Sequence, residues 1–226
     1  MNSARKTAII VGIFYITATV AYSIAMILLD PILSASDFLA RASENANQVM
    51  LGTLLVLVDA VAVAGIGIWM YQILKKHSQV LALGFTSTRI AEGIVFVLTI
   101  VPTLTLLTIS QEFARAGALD ASYYQTLGQM LLSAGEWIFL LGYGLVFAIS
   151  ALILNFVLYR TKFVPRWLSG WGFISAVFVL GNFFLQFYGI KFFEFLDFSI
   201  AIQEMVFALW LIIKGFNPAA LAAKSA

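Results

Sequence analysis

The sequence predicts an all-α, polytopic integral membrane protein with six transmembrane helices and both termini cytoplasmic. Three observations carry that expectation. The first is composition: of 226 residues, 62% are apolar and 11% charged, and mean hydropathy is +0.99. A water-soluble domain is about half apolar and about a quarter charged, so this chain lacks the polar surface to cover itself in water. The second is segmentation, because apolar stretches near the roughly 20 residues that a spanning helix needs recur six times between short polar breaks. The third is charge placement. With the N-terminus inside, inner segments hold Arg5, Lys6, Lys75, Lys76, Arg160, Lys162, Arg166, Lys214 and Lys224, and outer loops hold only Arg41, Arg115 and Lys191. This is the asymmetry of the positive-inside rule, and removing or adding a helix scrambles it.

The spans follow in order, and together they form one domain over residues 1–226. The first covers about 7–29 and is expected to stop at Asp30-Pro31, where a charge and a residue without an N–H both oppose a helix. Arg5-Lys6 ahead of an apolar run resembles a signal peptide, but the run exceeds the usual length of about 7 to 15 residues and no small-residue cleavage site follows. In the connection that follows, Asp37, Arg41 and Glu44 have helical spacing and suggest a short interfacial helix. The second span covers about 48–74 and ends at Lys75-Lys76-His77. The third covers about 81–110, with Pro102 expected to kink it. The fourth, about 127–159, is long enough to require tilt or projection beyond the bilayer. The fifth, about 165–188, begins at Pro165, suited to a first helical turn. The sixth, about 194–213, ends at Lys214-Gly215 and Asn217-Pro218.

Residue inventory excludes several chemistries. With no cysteine there is no disulfide, thiol nucleophile or Cys-based metal site, and with His77 as the single histidine there is no His cluster for zinc, di-iron or bis-His haem. No cofactor is expected. The basic residues are scattered between spans, so no nucleic-acid partner is expected either.

The informative residues are polar groups inside the spans. A charge at bilayer depth costs at least roughly 2.5 to 3.5 kcal/mol, so such groups face the bundle interior and are functional candidates. Asp59, Arg89, Glu92, Glu136 and Glu204 stand there. Counting ~1.5 Å per residue from the anchors Lys75 and Lys214 puts Asp59 and Glu204 near the midplane. Arg89 and Glu92 share a helix face and are expected to pair with each other. That leaves Asp59, Glu136 and Glu204 without a basic partner in any span. Gln203 adds donors and acceptors beside Glu204, although neighbours on a helix point about 100° apart. Tyr143 lies on the Glu136 face. A polar pocket between the second, third, fourth and sixth spans is expected, binding a ligand or a proton through these seven residues.

Bland readings stand beside this one. Polar groups also join membrane helices by hydrogen bonds worth roughly 0.6 to 2 kcal/mol. Gly65, Gly67, Gly142 and Gly144 read as packing residues, and the phenylalanines as core or lipid-facing. Arg160, Lys162 and Arg166 beside Trp167 read as an anchor facing anionic lipid headgroups.

The segments Arg89-Ile90-Ala91-Glu92, Glu136-Trp137, Val164-Pro165-Arg166-Trp167-Leu168-Ser169-Gly170-Trp171-Gly172 and Gln203-Glu204-Met205, followed by Lys214-Gly215-Phe216, occur in a characteristic order. In this the chain resembles the bacterial six-helix membrane family known as domain of unknown function 4386, over nearly its whole length. The resemblance implies a bacterial multi-pass protein of the inner (plasma) membrane and no particular reaction. The leading expectation is a membrane protein that binds a small or amphiphilic ligand in its polar pocket, with proton-linked transport as the fuller form. The alternative is an accessory or structural subunit of a larger membrane complex. Acid-base catalysis by Glu92 and Glu204 is a weaker third reading.

Overall fold

The computed structural model describes residues 3–116, 121–190 and 194–222, and these are all helix and short connections. The first helix, α1 (Ser3–Leu33), is followed by the short α2 (Phe38–Glu44), α3 (Ala46–Leu74) and α4 (Gln79–Ala116). Next, α5 (Ala121–Phe139) passes through a π-helical segment (Leu140–Phe147) directly into α6 (Ala148–Thr161). The chain finishes with α7 (Arg166–Phe187), α8 (Glu194–Ile213) and the short α9 (Pro218–Ala222). Five helical stretches are long and apolar enough to cross a membrane, one of them the continuous Ser122–Thr161, and Phe198–Ile213 is a shorter apolar helix.

The long helices close into a ring: α1 packs on α3, α3 on α4, α4 on α5, the π segment and α6, then α6 on α7, α7 on α8, and α8 back on α1. The closing contact is partly a cap. Helices leave their last carbonyls without intrahelical donors, and Arg5 supplies them for α8, its Nη1 donating to Leu211 O at 3.0 Å and its Nη2 to Ile212 O at 2.5 Å. The backbone N–H of Asn217 likewise donates to Phe163 O at 2.8 Å, tying the end of α8 to the α6–α7 connection. Arg5, Lys76 and Lys214 line one surface hollow and Lys162, Arg166 and Lys214 another, so the basic anchors gather at one end of the bundle. Lys191 and Lys224 lie outside the described residues.

Several boundaries differ from expectation. The first helix runs through Asp30-Pro31 to Leu33, because a proline near a helix end removes a single hydrogen bond and the last turn tolerates that. The suggested interfacial helix exists as α2, with Arg41 Nε donating to Asp37 Oδ1 at 2.8 Å, and it buries Phe38, Leu39 and Ala42. Pro165 precedes α7 as its cap and is not its first helical residue. The long fourth stretch is accommodated by the π-helical segment in its middle, where the backbone carries extra residues per turn.

Candidate functional site

The centre of the ring is organised by α4, which carries Arg89 and Glu92 one turn apart. Two glycines, one on each side of the α3–α4 contact, make room for them. A Cβ on Gly67 would lie 2.8 Å from the Cβ of Arg89, and one on Gly93 would lie 2.7 Å from the Ala60 carbonyl oxygen. Only hydrogen fits at either point, so the backbones approach closely and Asp59 on α3 is drawn against the α4 cluster. Thr86 strengthens the contact by donating its hydroxyl to Gly67 O at 3.0 Å.

Arg89 is the hub. Its Nη1 donates to Glu92 Oε1 at 3.2 Å and Oε2 at 3.3 Å, and its Nη2 donates to Glu204 Oε1 on α8 at 2.9 Å and to Tyr15 Oη on α1 at 3.1 Å. The Nε–H finds no acceptor among the described residues. The guanidinium carbon also sits 5.3 Å from the ring centroid of Phe147, 5.4 Å from Tyr15 and 5.7 Å from Phe85, within cation–π range. Arg89 and Glu92 are each 2% exposed. A buried guanidinium is costly unless its charge is paired and hydrogen-bonded, and here both terminal nitrogens are engaged and one side chain joins α1, α4 and α8 at a single point.

This revises the expected pairing. Arg89 does pair with Glu92 along its own helix, but Glu204 is not without a basic partner, because the same guanidinium fork reaches across to α8. Three carboxylates therefore surround one cation, and Asp59 is the one left over. It is 3% exposed and makes no hydrogen bond or ion pair among the described residues.

Asp59, Arg89, Glu92 and Glu204 line a chamber of about 330 Å³ whose other walls include Tyr15, Tyr22, Phe96, Phe139, Tyr143 and Phe147. A volume of this size lies within the range of small-molecule sites, about 300 to 1,000 Å³. A second chamber of about 370 Å³ lies farther from the basic end, lined by Asp30, Thr99, Thr103 and Glu136 among others. Tyr22 and Phe139 border both chambers, with ring centroids 6.1 Å apart and planes nearly parallel, and Phe96 packs beside them. The π-helical segment continues this aromatic wall, with Tyr143 stacked 5.5 Å from Phe139 and 5.2 Å from Phe147.

Two expected members of the pocket stand elsewhere. Glu136 is exposed and lines the second chamber, because it lies beyond Phe139 of the aromatic layer, on the side away from Arg89. Gln203 is buried but turned to α7, where its Nε2 donates to Leu168 O at 3.2 Å, as the angular separation of neighbouring helical residues requires. Tyr143 lines the Arg89 chamber. Sequence reasoning passed over Tyr15, whose hydroxyl in an otherwise apolar span was the available signal. It also passed over Phe85 and Phe147, which carried none beyond being aromatic. Among the described residues, no group of three or more His, Cys, Asp or Glu side chains is placed to hold a metal ion.

Residues 10–215 match the family model described as Domain of unknown function (DUF4386). The chain belongs to this family. The DUF4386 region contains every residue of the Arg89 cluster, from Tyr15 to Glu204, and every residue that lines the two chambers. No curated protein and no solved structure matches the chain.

Proposed function

We propose that this protein binds a small or amphiphilic ligand in the chamber around Arg89, and that protonation of the chamber carboxylates is linked to binding and to transport across the membrane. In this reading the chain crosses the bacterial inner membrane six times with both termini cytoplasmic. The basic end faces the cytoplasm, and the hollow bounded by Lys162, Arg166 and Lys214 meets anionic lipid headgroups.

One observation carries the proposal: a cleft in an apolar bundle is lined by three carboxylates and one guanidinium. Structural glue needs its polar groups satisfied, and Asp59 is not. An unpaired carboxylate in low dielectric is stabilised by taking a proton or by meeting a cation, and either event changes the charge of the chamber without moving a helix. The groups that share that field are Tyr15 and Tyr22 from α1, Asp59 from α3, Arg89 and Glu92 from α4, Tyr143 from the π-helical segment, and Glu204 from α8.

The test is to compare small molecules retained through purification by the wild-type protein and by Ala201→Trp, whose indole fills the chamber from an exposed position on α8. Mass spectrometry is expected to find a species enriched on the wild type and depleted on the variant. Identical extracts from the two proteins would sink the binding reading. Proton linkage is read separately in liposomes loaded with a pH-sensitive dye, where Glu204→Gln is expected to abolish potential-driven proton entry. Unchanged entry in a folded variant removes the proton from the mechanism.

A further inference from the structure

We infer that the Arg89 chamber is a site for a monovalent organic cation with an apolar body, with Asp59 as its counter-ion. The inference rests on the binding reading above and deepens it by naming the ligand's charge and shape.

The sign of the charge follows from what is already used. The terminal nitrogens of Arg89 are engaged by Glu92, Glu204 and Tyr15, and the side chain is buried. Only the Nε–H is without an acceptor among the described residues, and that atom is fully buried, so an anionic ligand would have to displace a carboxylate to reach the one guanidinium that lines the chamber. Asp59 is in the opposite condition: it is 97% buried by the 3% exposure of the residue, it borders the cavity, and no donor among the described residues reaches it. A cation entering the chamber meets a carboxylate that nothing else satisfies, while an anion meets an excess of negative charge.

The shape follows from the walls. Tyr22, Phe96, Phe139 and Tyr143 supply ring surface that attracts a desolvated cation and packs against hydrocarbon. A small hydrated ion gains little from such walls and loses its water. A quaternary ammonium or a similar amphiphilic cation, whose charge is spread and weakly hydrated, suits both features.

The second chamber agrees in sign. It presents Asp30 and Glu136, no basic residue lines it, and it is separated from the first by the Tyr22 and Phe139 rings. Both chambers therefore offer carboxylates beside aromatic rings.

The experiment uses two probes of the same shape, benzyltrimethylammonium and its uncharged isostere neopentylbenzene, titrated calorimetrically into the full-length protein in detergent. The cation is expected to bind saturably at one site, at least about tenfold more tightly than the isostere. Asp59→Asn is expected to remove that preference, lowering cation affinity by at least about tenfold with isostere binding unchanged. Asp59→Glu, which keeps the charge, is expected to retain it and controls for folding. Equal or tighter binding of neopentylbenzene, undiminished cation binding by Asp59→Asn, or no cation binding at all would each overturn the proposal. If the isostere binds and Ala201→Trp blocks it, the ligand-binding reading survives and only the cation class falls. If neither probe binds and Ala201→Trp retains the same molecules as the wild type, both readings fall.

Discussion

The two chambers are close in volume and share two aromatic residues, yet their carboxylates live in different circumstances. Around Arg89, Glu92 is 2% and Asp59 3% exposed, and Arg89 ties Glu92 and Glu204 into a network that holds three helices and leaves Asp59 outside it. Beyond Tyr22 and Phe139, Asp30 and Glu136 are exposed and make no ion pair among the described residues. The same residue types thus have opposite energetic standing. A solvated charge costs little to keep or to remove, whereas a buried one depends on the partners that its site supplies. Depth relative to the aromatic layer sets what a carboxylate costs, and among the deep ones the presence of a donor separates the structural Glu92 and Glu204 from the available Asp59.

The strongest way to break this contrast is Arg89→Leu, which leaves Glu92 and Glu204 buried and facing each other. It is expected to cost about 3 to 5 kcal/mol, seen as a large fall in the thermal unfolding midpoint in detergent. Adding Glu204→Gln to that variant should recover part of the loss, since one uncompensated charge is then gone. Stability equal to wild type in the single variant would mean the network does not hold the helices.

A backbone version of the comparison comes next. Gly93→Val places carbon against the Ala60 carbonyl and should cost about 1 to 3 kcal/mol by forcing α3 and α4 apart. Gly135→Ala at the second chamber meets only Pro102 Cγ at 3.7 Å, an ordinary contact, and should leave the unfolding midpoint unchanged.

Tyrosines give a smaller and more selective readout. Tyr15→Phe removes the hydroxyl that accepts from Arg89 and is expected to cost about 1.5 to 3 kcal/mol, the range for hydrogen bonds to charged groups. Tyr22→Phe removes a hydroxyl with no hydrogen-bond partner among the described residues and should be silent in the same assay. Equal losses would mean that the Tyr15 hydroxyl gains nothing from its bond to Arg89. The smallest effect belongs to Glu136→Gln, expected to leave the unfolding midpoint unchanged because the side chain is exposed.

Much of the molecule was legible before any coordinates. Hydropathy located the long apolar helices, since burying backbone in hydrocarbon demands helices of a set length. The cost of intramembrane charge singled out Asp59, Arg89, Glu92 and Glu204 from single positions in the chain, and with them Glu136, which stands outside the Arg89 chamber. Gln203 was expected in the pocket and turns to Leu168 instead, for which the angular offset between helical neighbours is the reason. Helix ends were less legible: Pro31 looked like a stop and is passed by one turn, because a proline's cost depends on whether the lost hydrogen bond lies inside the helix or at its fraying end.

What the sequence determined by itself was composition and period, and those dictate helices, apolar surfaces and the presence of charges that water would otherwise solvate. The partnership of Arg89 with Glu204 and Tyr15, the exclusion of Glu136 by an aromatic layer, and the isolation of Asp59 were decided only by tertiary structure. Each depends on how helices far apart in the chain rotate and approach one another, as at Gly67 and Gly93. Contacts between distant segments are set by packing of the whole ring, and no local pattern of residues encodes that rotation.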